Sequence, residues 1–375
     1  MKRRATLTAP AVGDPEAHVA GLTILLRQLL SLQDGGIEEV AIQGLAPDRF
    51  PRDPRLRIPL LATGPGDTVD PESVLVARIG LVWHRLLPKR LVDDGYRGDI
   101  EAAPLKPGEF VVAPTDAAGL VQAEDLLLAA LLKGTDGLIS RTINRRISLR
   151  VTRSLLETGL TPNQMTVVAA VFGLAAIAVV ALGGASWFIP GALLLQIQSI
   201  LDGCDGEISR LKYIRSRLGE WLDQVVDDVV NLGFFMATGW ALYQAGWEPA
   251  RMLTITGTVL HLIYQVALYA ALIVSGGGSG SVASIRWRGQ KEHGESAHDH
   301  TAHRSFLTQV KETLEMAGRR DFFTFLYLPA ALLGVMQVAL AWCTGIFVLS
   351  GLASGVHWLI FGPPAPARKP TPSAG

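Results

Sequence analysis

"LDGCDGEISRLKYIRSRLGEWLDQVVDD", Leu201 to Asp228, sets a dense group of carboxylates where a chain this apolar should be continuing in hydrophobic residues. Asp202 and Asp205 stand three apart, Asp223 and Asp227 four apart. Either spacing puts both members of a pair on one helical face. Two antiparallel helices can therefore present all four carboxylates to a single point. Acids gathered at the edge of a membrane need cations or protons to offset them, and one or two hard divalent ions satisfy them with oxygen ligands. Taken singly, each acid could instead pair with Arg210, Arg215 or Arg217 as a solvated helix end. The ungapped pattern Asp-x2-Asp-Gly-x3-Arg-x8-Gly-x3-Asp-x3-Asp argues against that. Seven fixed positions at about 6% each would arise by chance in roughly one such chain in a million.

The surroundings explain why a membrane is invoked. Of the 375 residues 49% are hydrophobic, the 34 basic residues balance the 34 acidic ones, and the mean hydropathy is +0.30. Such a chain suits partial solution in lipid, and no basic stripe suggests a nucleic-acid partner. The two cysteines, Cys204 and Cys343, lie far apart in apolar surroundings, so neither a disulfide framework nor a zinc site is expected. "TPNQMTVVAAVFGLAAIAVVALGG" begins with Thr161 as an expected N-cap and Pro162 in the first helical position, then runs on without a charge. Comparable stretches at Trp187–Leu201, Gly219–Gln244, Arg251–Val274, Phe322–Trp342 and Gly345–Phe361 bring the expected spans to six.

Charge in the connections sets the orientation. Arg210, Lys212, Arg215 and Arg217 lie between spans two and three, a run from Arg286 to Arg320 lies between four and five, and Arg368 and Lys369 lie in the tail. The opposite connections carry Glu248 and Arg251 alone. The positive-inside rule then places both termini and the carboxylates at the cytoplasmic face of the cell (inner) membrane. Ahead of the first span, Arg141, Arg145, Arg146, Arg150 and Arg153 alternate with Leu138, Ile139, Ile143, Ile147, Leu149 and Val151. That pattern predicts an amphipathic helix on an anionic membrane surface, within a juxtamembrane segment 133–160.

Residues 1–132 read as a small cytoplasmic α/β domain. "MKRRATLTAPAVGDPEAH" has no apolar core of the kind a signal peptide needs. In "VAGLTILLRQLLSLQDGGIEEVAIQG" apolar positions recur at helical spacing to Leu32, "QDGG" stops the helix, and "EEVAIQG" is a strand. Further strands are expected in "SVLVARIGLVW" and "EFVVAP", and strand, helix, strand order implies a parallel sheet. The division expected is 1–132 α/β, 133–160 juxtamembrane, 161–362 six-helix membrane domain and 363–375 cytoplasmic tail.

The 201–228 stretch resembles the signature of the CDP-alcohol phosphotransferases, with Ser209 where that family usually has alanine. "TDGLISRTINRRIS" and "TPNQMT" are similar to the family's lead-in, and the resemblance covers about residues 136–361. It implies six membrane helices and transfer of a phosphoalcohol group from a CDP-linked donor to an acceptor hydroxyl, with release of CMP. It also implies that Asp202, Asp205, Asp223 and Asp227 bind two divalent ions, Mg2+ or Mn2+, and that Asp227 deprotonates the acceptor. Gly206, Ser209, Arg210 and Gly219 would meet the nucleotide, the glycines by close backbone approach and Arg210 at the diphosphate. A homodimer is a further expectation from the family. Gly206 and Gly219 also have a plain reading as helix-packing positions.

The first domain resembles sugar-nucleotide nucleotidyltransferases, which occur fused to this membrane domain in enzymes that use an inositol-phosphate acceptor. The place of their Gly-rich, Arg- and Lys-bearing loop reads "TAPAVGDPEA", so the domain is expected to be inactive. A bifunctional cytidylyltransferase/phosphotransferase is the alternative within this class, and a divalent-cation transporter or binding protein the alternative outside it. Two further features carry chemistry. "GRRDFF" offers Arg319 and Arg320 to a phosphate on the acceptor, or as plain positive-inside anchors. His293, His298, His300 and His303 could bind metal, against the simpler reading of a polar loop.

Overall fold

The computed structural model describes residues 3–9, 13–132, 139–275 and 320–362. Within it the chain forms two compact units, one of Met1–Gly134, Leu149–Leu160 and Glu207–Ile214, the other of Thr135–Ser148, Thr161–Gly206 and Arg215–Gly375.

In the first unit β1 (Arg4–Thr8), β4 (Glu39–Gln43), β5 (Leu60–Thr63), β6 (Leu75–Arg78) and β8 (Gly98–Asp99) form a parallel sheet in the order β5-β4-β1-β6-β8. A parallel sheet is covered on its faces, and Leu7, Val40, Ile42 and Leu75 are wholly buried. Arg4 sits opposite Glu39 in the β1–β4 register and donates to its carboxylate at 2.7 Å. Helix α1 (Ile24–Asp34) ends at Gly35 and Gly36, and Gly36 takes φ +85°. Every residue from Ile24 to Leu32 is buried, so α1 packs on more than its sheet-facing side. The "SVLVARIGLVW" run does not remain one strand. Gly80, at φ +96°, divides it, and β7 (Val82–Trp83) pairs antiparallel with β9 (Val111–Val112) in "EFVVAP", outside the main sheet. Short β2 (His18–Val19) and β3 (Leu22–Thr23), α2 (Leu87–Asp93) and α3 (Ala117–Ala129) complete this part.

The second unit is helical. A π-helical turn, Ser140–Asn144, leads into α4 (Arg145–Leu155), whose later residues belong to the first unit. Then come α5 (Pro162–Ala181), α6 (Phe188–Leu211), α7 (Arg217–Gln244), α8 (Pro249–Ser275), α9 (Arg320–Leu332) and α10 (Met336–Phe361). By length and composition, Pro162–Ala181, Arg217–Gln244, Pro249–Val274 and Met336–Ile360 are candidate membrane spans. Their outward faces carry large apolar side chains, among them Val171, Leu174, Ile263, Val266, Leu352 and Leu359. Water would not favour such a belt, and hydrocarbon would.

Helix α6 continues unbroken through Asp202 and Asp205 to Leu211. One expectation is corrected here: the chain does not turn between Trp342 and Gly345. It turns at Gly334, whose φ of +70° suits glycine, after the short α9 with Pro329 inside it. Thr344 stays helical by donating to Leu340 O at 2.9 Å. Spans five and six as expected, Phe322–Trp342 and Gly345–Phe361, are therefore a 13-residue and a 26-residue helix.

The stripe that α4 and the turn before it bury within the protein is polar. Asn144, Ser148 and Thr152, spaced at i, i+4 and i+8, are buried, while Ile143 and Ile147 stay exposed. The polar stripe meets polar positions of α6. Asn144 donates to Ser199 Oγ at 3.1 Å and accepts from Gln196 at 2.7 Å, and Thr152 donates to Glu207 at 2.6 Å.

Candidate active site

Helices α6 and α7 deliver the acids. Oxygens of Asp202, Asp223 and Asp227 lie within 4.8 Å of one another, and Asp227 is 5% exposed. Three hard oxygen donors at this separation fit one or more Mg2+- or Mn2+-like ions, and no soft ligand stands among them. Asp205 is adjacent, not in that trio. It accepts from Thr166 Oγ1 at 2.6 Å. Asp205 lies four residues past the apolar run that ends at Leu201.

The next acid, Asp228, is turned elsewhere by the helical pitch. It accepts from Tyr269 Oη at 2.5 Å and Gln224 Nε2 at 3.1 Å.

The "TPNQMT" lead-in supplies residues that the acid spacing alone did not reveal. Thr161 caps α5 in a reciprocal capping box with Gln164. One turn on, Thr166 holds Asp205. Between them, Asn163 closes on Gly219: a Cβ at that glycine would stand 2.4 Å from Asn163 Oδ1. The usable signal was the position of hydroxyl and amide side chains one turn inside an N-cap. Thr166→Val, which keeps the shape and removes the donor, is expected to lower turnover about tenfold, the equivalent of ~1.4 kcal/mol, without shifting thermal unfolding. Steady-state kinetics beside a melting curve would check it, and unchanged kinetics would show the bond to be dispensable.

A polar cavity of about 110 Å³ lies against Asp202. It is lined by Ser140, Asn144, Arg145, Ser148, Ser199 and Asp321 among others. Asp321 accepts from the Ser140 backbone N–H at 2.9 Å, and Arg145 Nη1 is 3.4 Å from Gly203 O. Arg319, expected at an acceptor phosphate, lies outside the described residues, as do His293, His298, His300 and His303. Arg320 opens α9. Gly206 is half-buried on α6, one residue after Asp205. Ser209 and Arg210 follow on the last turn of that helix, in the first compact unit. There the Ser209 hydroxyl donates to Ile214 O at 2.6 Å.

The acid trio and the signature around it lie in the part of the chain that the comparisons match to known proteins. Residues 159–291 match the CDP-alcohol phosphatidyltransferase family model. Curated relatives carry the name bifunctional IPC transferase and DIPP synthase. The protein of that name from Aquifex aeolicus (strain VF5) is 28% identical over 242 residues, 64% of this chain and 46% of the relative. That from Thermococcus kodakarensis is 38% identical over 141 residues, 37% of this chain and 32% of the relative. That from Archaeoglobus fulgidus is 40% identical over 142 residues, 37% and 27% of the two chains. Each match takes in less than half of the relative's own length.

Proposed function

We propose that the protein transfers a phosphoalcohol group from a CDP-alcohol to an acceptor hydroxyl and releases CMP. The observation that carries the reading is the clustering of Asp202, Asp223 and Asp227 within 4.8 Å, at the signature's own positions. The acceptor oxygen attacks the phosphorus bearing the alcohol, the bond from that phosphorus to the bridging oxygen breaks, and CMP leaves with that oxygen. Asp227 takes the proton of the acceptor hydroxyl as general base. Two divalent ions, Mg2+ or Mn2+, held by Asp202, Asp205, Asp223 and Asp227, would supply charge neutralisation at the diphosphate. Gly206 and Gly219 admit the nucleotide, with Ser209 and Arg210 on its phosphate side. The polar cavity beside Asp202 suits a hydroxyl-rich acceptor, and the guanidinium of Arg145 within it suits one that also bears a phosphate.

The relatives' names support an inositol-phosphate-type chemistry over a purely lipid one. In this reading the chain spans the cell membrane six times, α6 and the short α9 included, with both termini and the carboxylates cytoplasmic, and acts as a homodimer. Its first domain is a nucleotidyltransferase-like fold without activity of its own.

The test is CMP release by purified protein with Mg2+ or Mn2+, with CDP-inositol and CDP-diacylglycerol offered separately against inositol phosphate and other hydroxyl acceptors. Release that requires metal and stops on chelation is the expected result, with CDP-inositol preferred. Absence of release with either donor, together with no calorimetric binding of CMP, would overturn the reading.

A further inference from the structure

The first domain engages a segment far from it in sequence. Glu207–Ile214, the end of α6 and the turn after it, belongs to the same compact unit as residues 1–134. Its contacts there are specific. Arg27, buried on α1, donates to Leu211 O at 3.0 Å and, through its other amino group, to Val19 O and Ala20 O at 2.8 and 2.9 Å. Tyr213 takes φ +53°, an uncommon backbone for a large side chain. It is nonetheless buried, clustered with Leu22, Leu26 and Leu30. Two guanidiniums stand over its ring, Arg85 at 5.2 Å and Arg27 at 6.0 Å. Arg55 donates to Lys212 O and is itself fixed by Asp53 at 2.7 Å, and Lys212 Nζ donates to Thr158 O at 2.9 Å. Leu211 joins Val19, Ile24 and Leu127 in a further core cluster. These contacts account for the burial of α1 beyond its sheet-facing side.

The turn is also locked on itself. Ile214 N donates to Ser209 O at 3.0 Å while Ser209 Oγ donates to Ile214 O at 2.6 Å. Ser209 and Arg210 thus ride on a segment whose backbone carbonyls and central side chain are held by α1 and its neighbours. A residue in the left-handed region persists only where its surroundings over-determine it, and here they do.

We infer that the first domain acts as a positioning clamp: Arg27 and the Tyr213 socket fix the last turn of α6, on which Ser209 and Arg210 lie. The inference rests on the transferase reading for its effect on the donor, and on the contacts themselves for the clamp.

The test uses the full-length protein in detergent with Mg2+, CDP-inositol as donor and inositol phosphate as acceptor. Tyr213→Ala and Arg27→Met are each expected to raise the donor KM about tenfold or more and to leave the acceptor KM within about twofold, since small misplacements of binding groups carry large penalties. Tyr213→Phe keeps the ring and should restore the wild-type donor KM. Tyr213→Ala combined with Arg210→Ala should be no worse than Arg210→Ala alone. A fall in kcat with unchanged donor KM, or full additivity of the two substitutions, would overturn positioning. A second arm needs no activity. Hydrogen exchange at residues 207–214 should be slow in the wild type and about tenfold or more faster in Tyr213→Ala. Should the wild type release no CMP, the transferase reading falls and the exchange arm decides the clamp alone: equally fast exchange in wild type and variant would overturn it.

Discussion

Asp227→Asn is expected to lower metal-dependent CMP release by about a hundred- to ten-thousandfold, the range that one positioned general base contributes. The substitution keeps volume and hydrogen-bonding capacity in a site where Asp227 is 5% exposed, so the fold should survive. What it removes is one of three carboxylates lying within 4.8 Å of one another and, in the proposed mechanism, the general base. Two measurements separate these losses. Manganese binding read by electron paramagnetic resonance reports the ligand, and CMP release at saturating metal reports the base. Retention of more than a tenth of the activity at saturating metal would remove Asp227 from the chemistry and leave it a ligand only.

Gly219→Ala is the second large effect, and it is steric. The added Cβ would stand 2.4 Å from Asn163 Oδ1, a distance real Cβ atoms do not show. Asn163 lies in the first turn of α5, and Gly219 in the first turn of α7, where its N–H donates to Ser216 Oγ at 3.2 Å. Only the far end of the Asn163 side chain stands that close, so it can turn aside; a loss of about tenfold in turnover is expected where the turned amide crowds the carboxylates, and a larger one only where the nucleotide itself needs the bare Gly219 backbone. The double variant Asn163→Ala/Gly219→Ala separates two causes. Recovery of turnover would assign the loss to the clash between helices. Continued loss with CMP binding also abolished would assign it to close approach of the nucleotide to the backbone.

The acid pattern was legible because carboxylates at i, i+3 and i, i+4 are rare inside apolar sequence and have one geometric consequence. The parallel sheet was legible for a similar reason, since "EEVAIQG" follows a helix that "QDGG" closes. Less came through at α9 and α10. A break was expected at Cys343–Thr344, yet threonine can satisfy its hydroxyl on the preceding turn, and the real break at Gly334 sits in an equally apolar run. The inward stripe Asn144, Ser148, Thr152 was hidden because the arginines beside it give a stronger periodic signal. The pairing of Thr166 with Asp205 and of Arg27 with Leu211 joins residues 39 and 184 apart, and nothing local in a sequence encodes such partners.

The contact between α5 and α7 has one more effect. Val230 fills the space a side chain at Gly173 would need, approaching to 2.5 Å of that missing Cβ, and Ile177 does the same at Gly233, to 2.6 Å. The two notches are reciprocal, one cut in each helix, so together they work as a vernier. A slip of one turn, about 5.4 Å along the axis, would drive both knobs into backbone. Asp223 and Asp227 ride the same rigid rod as Gly233, with Asp223 about 15 Å up it. Their depth relative to the Thr166 end of α5 is thus gauged by two hydrogen atoms where side chains would otherwise be.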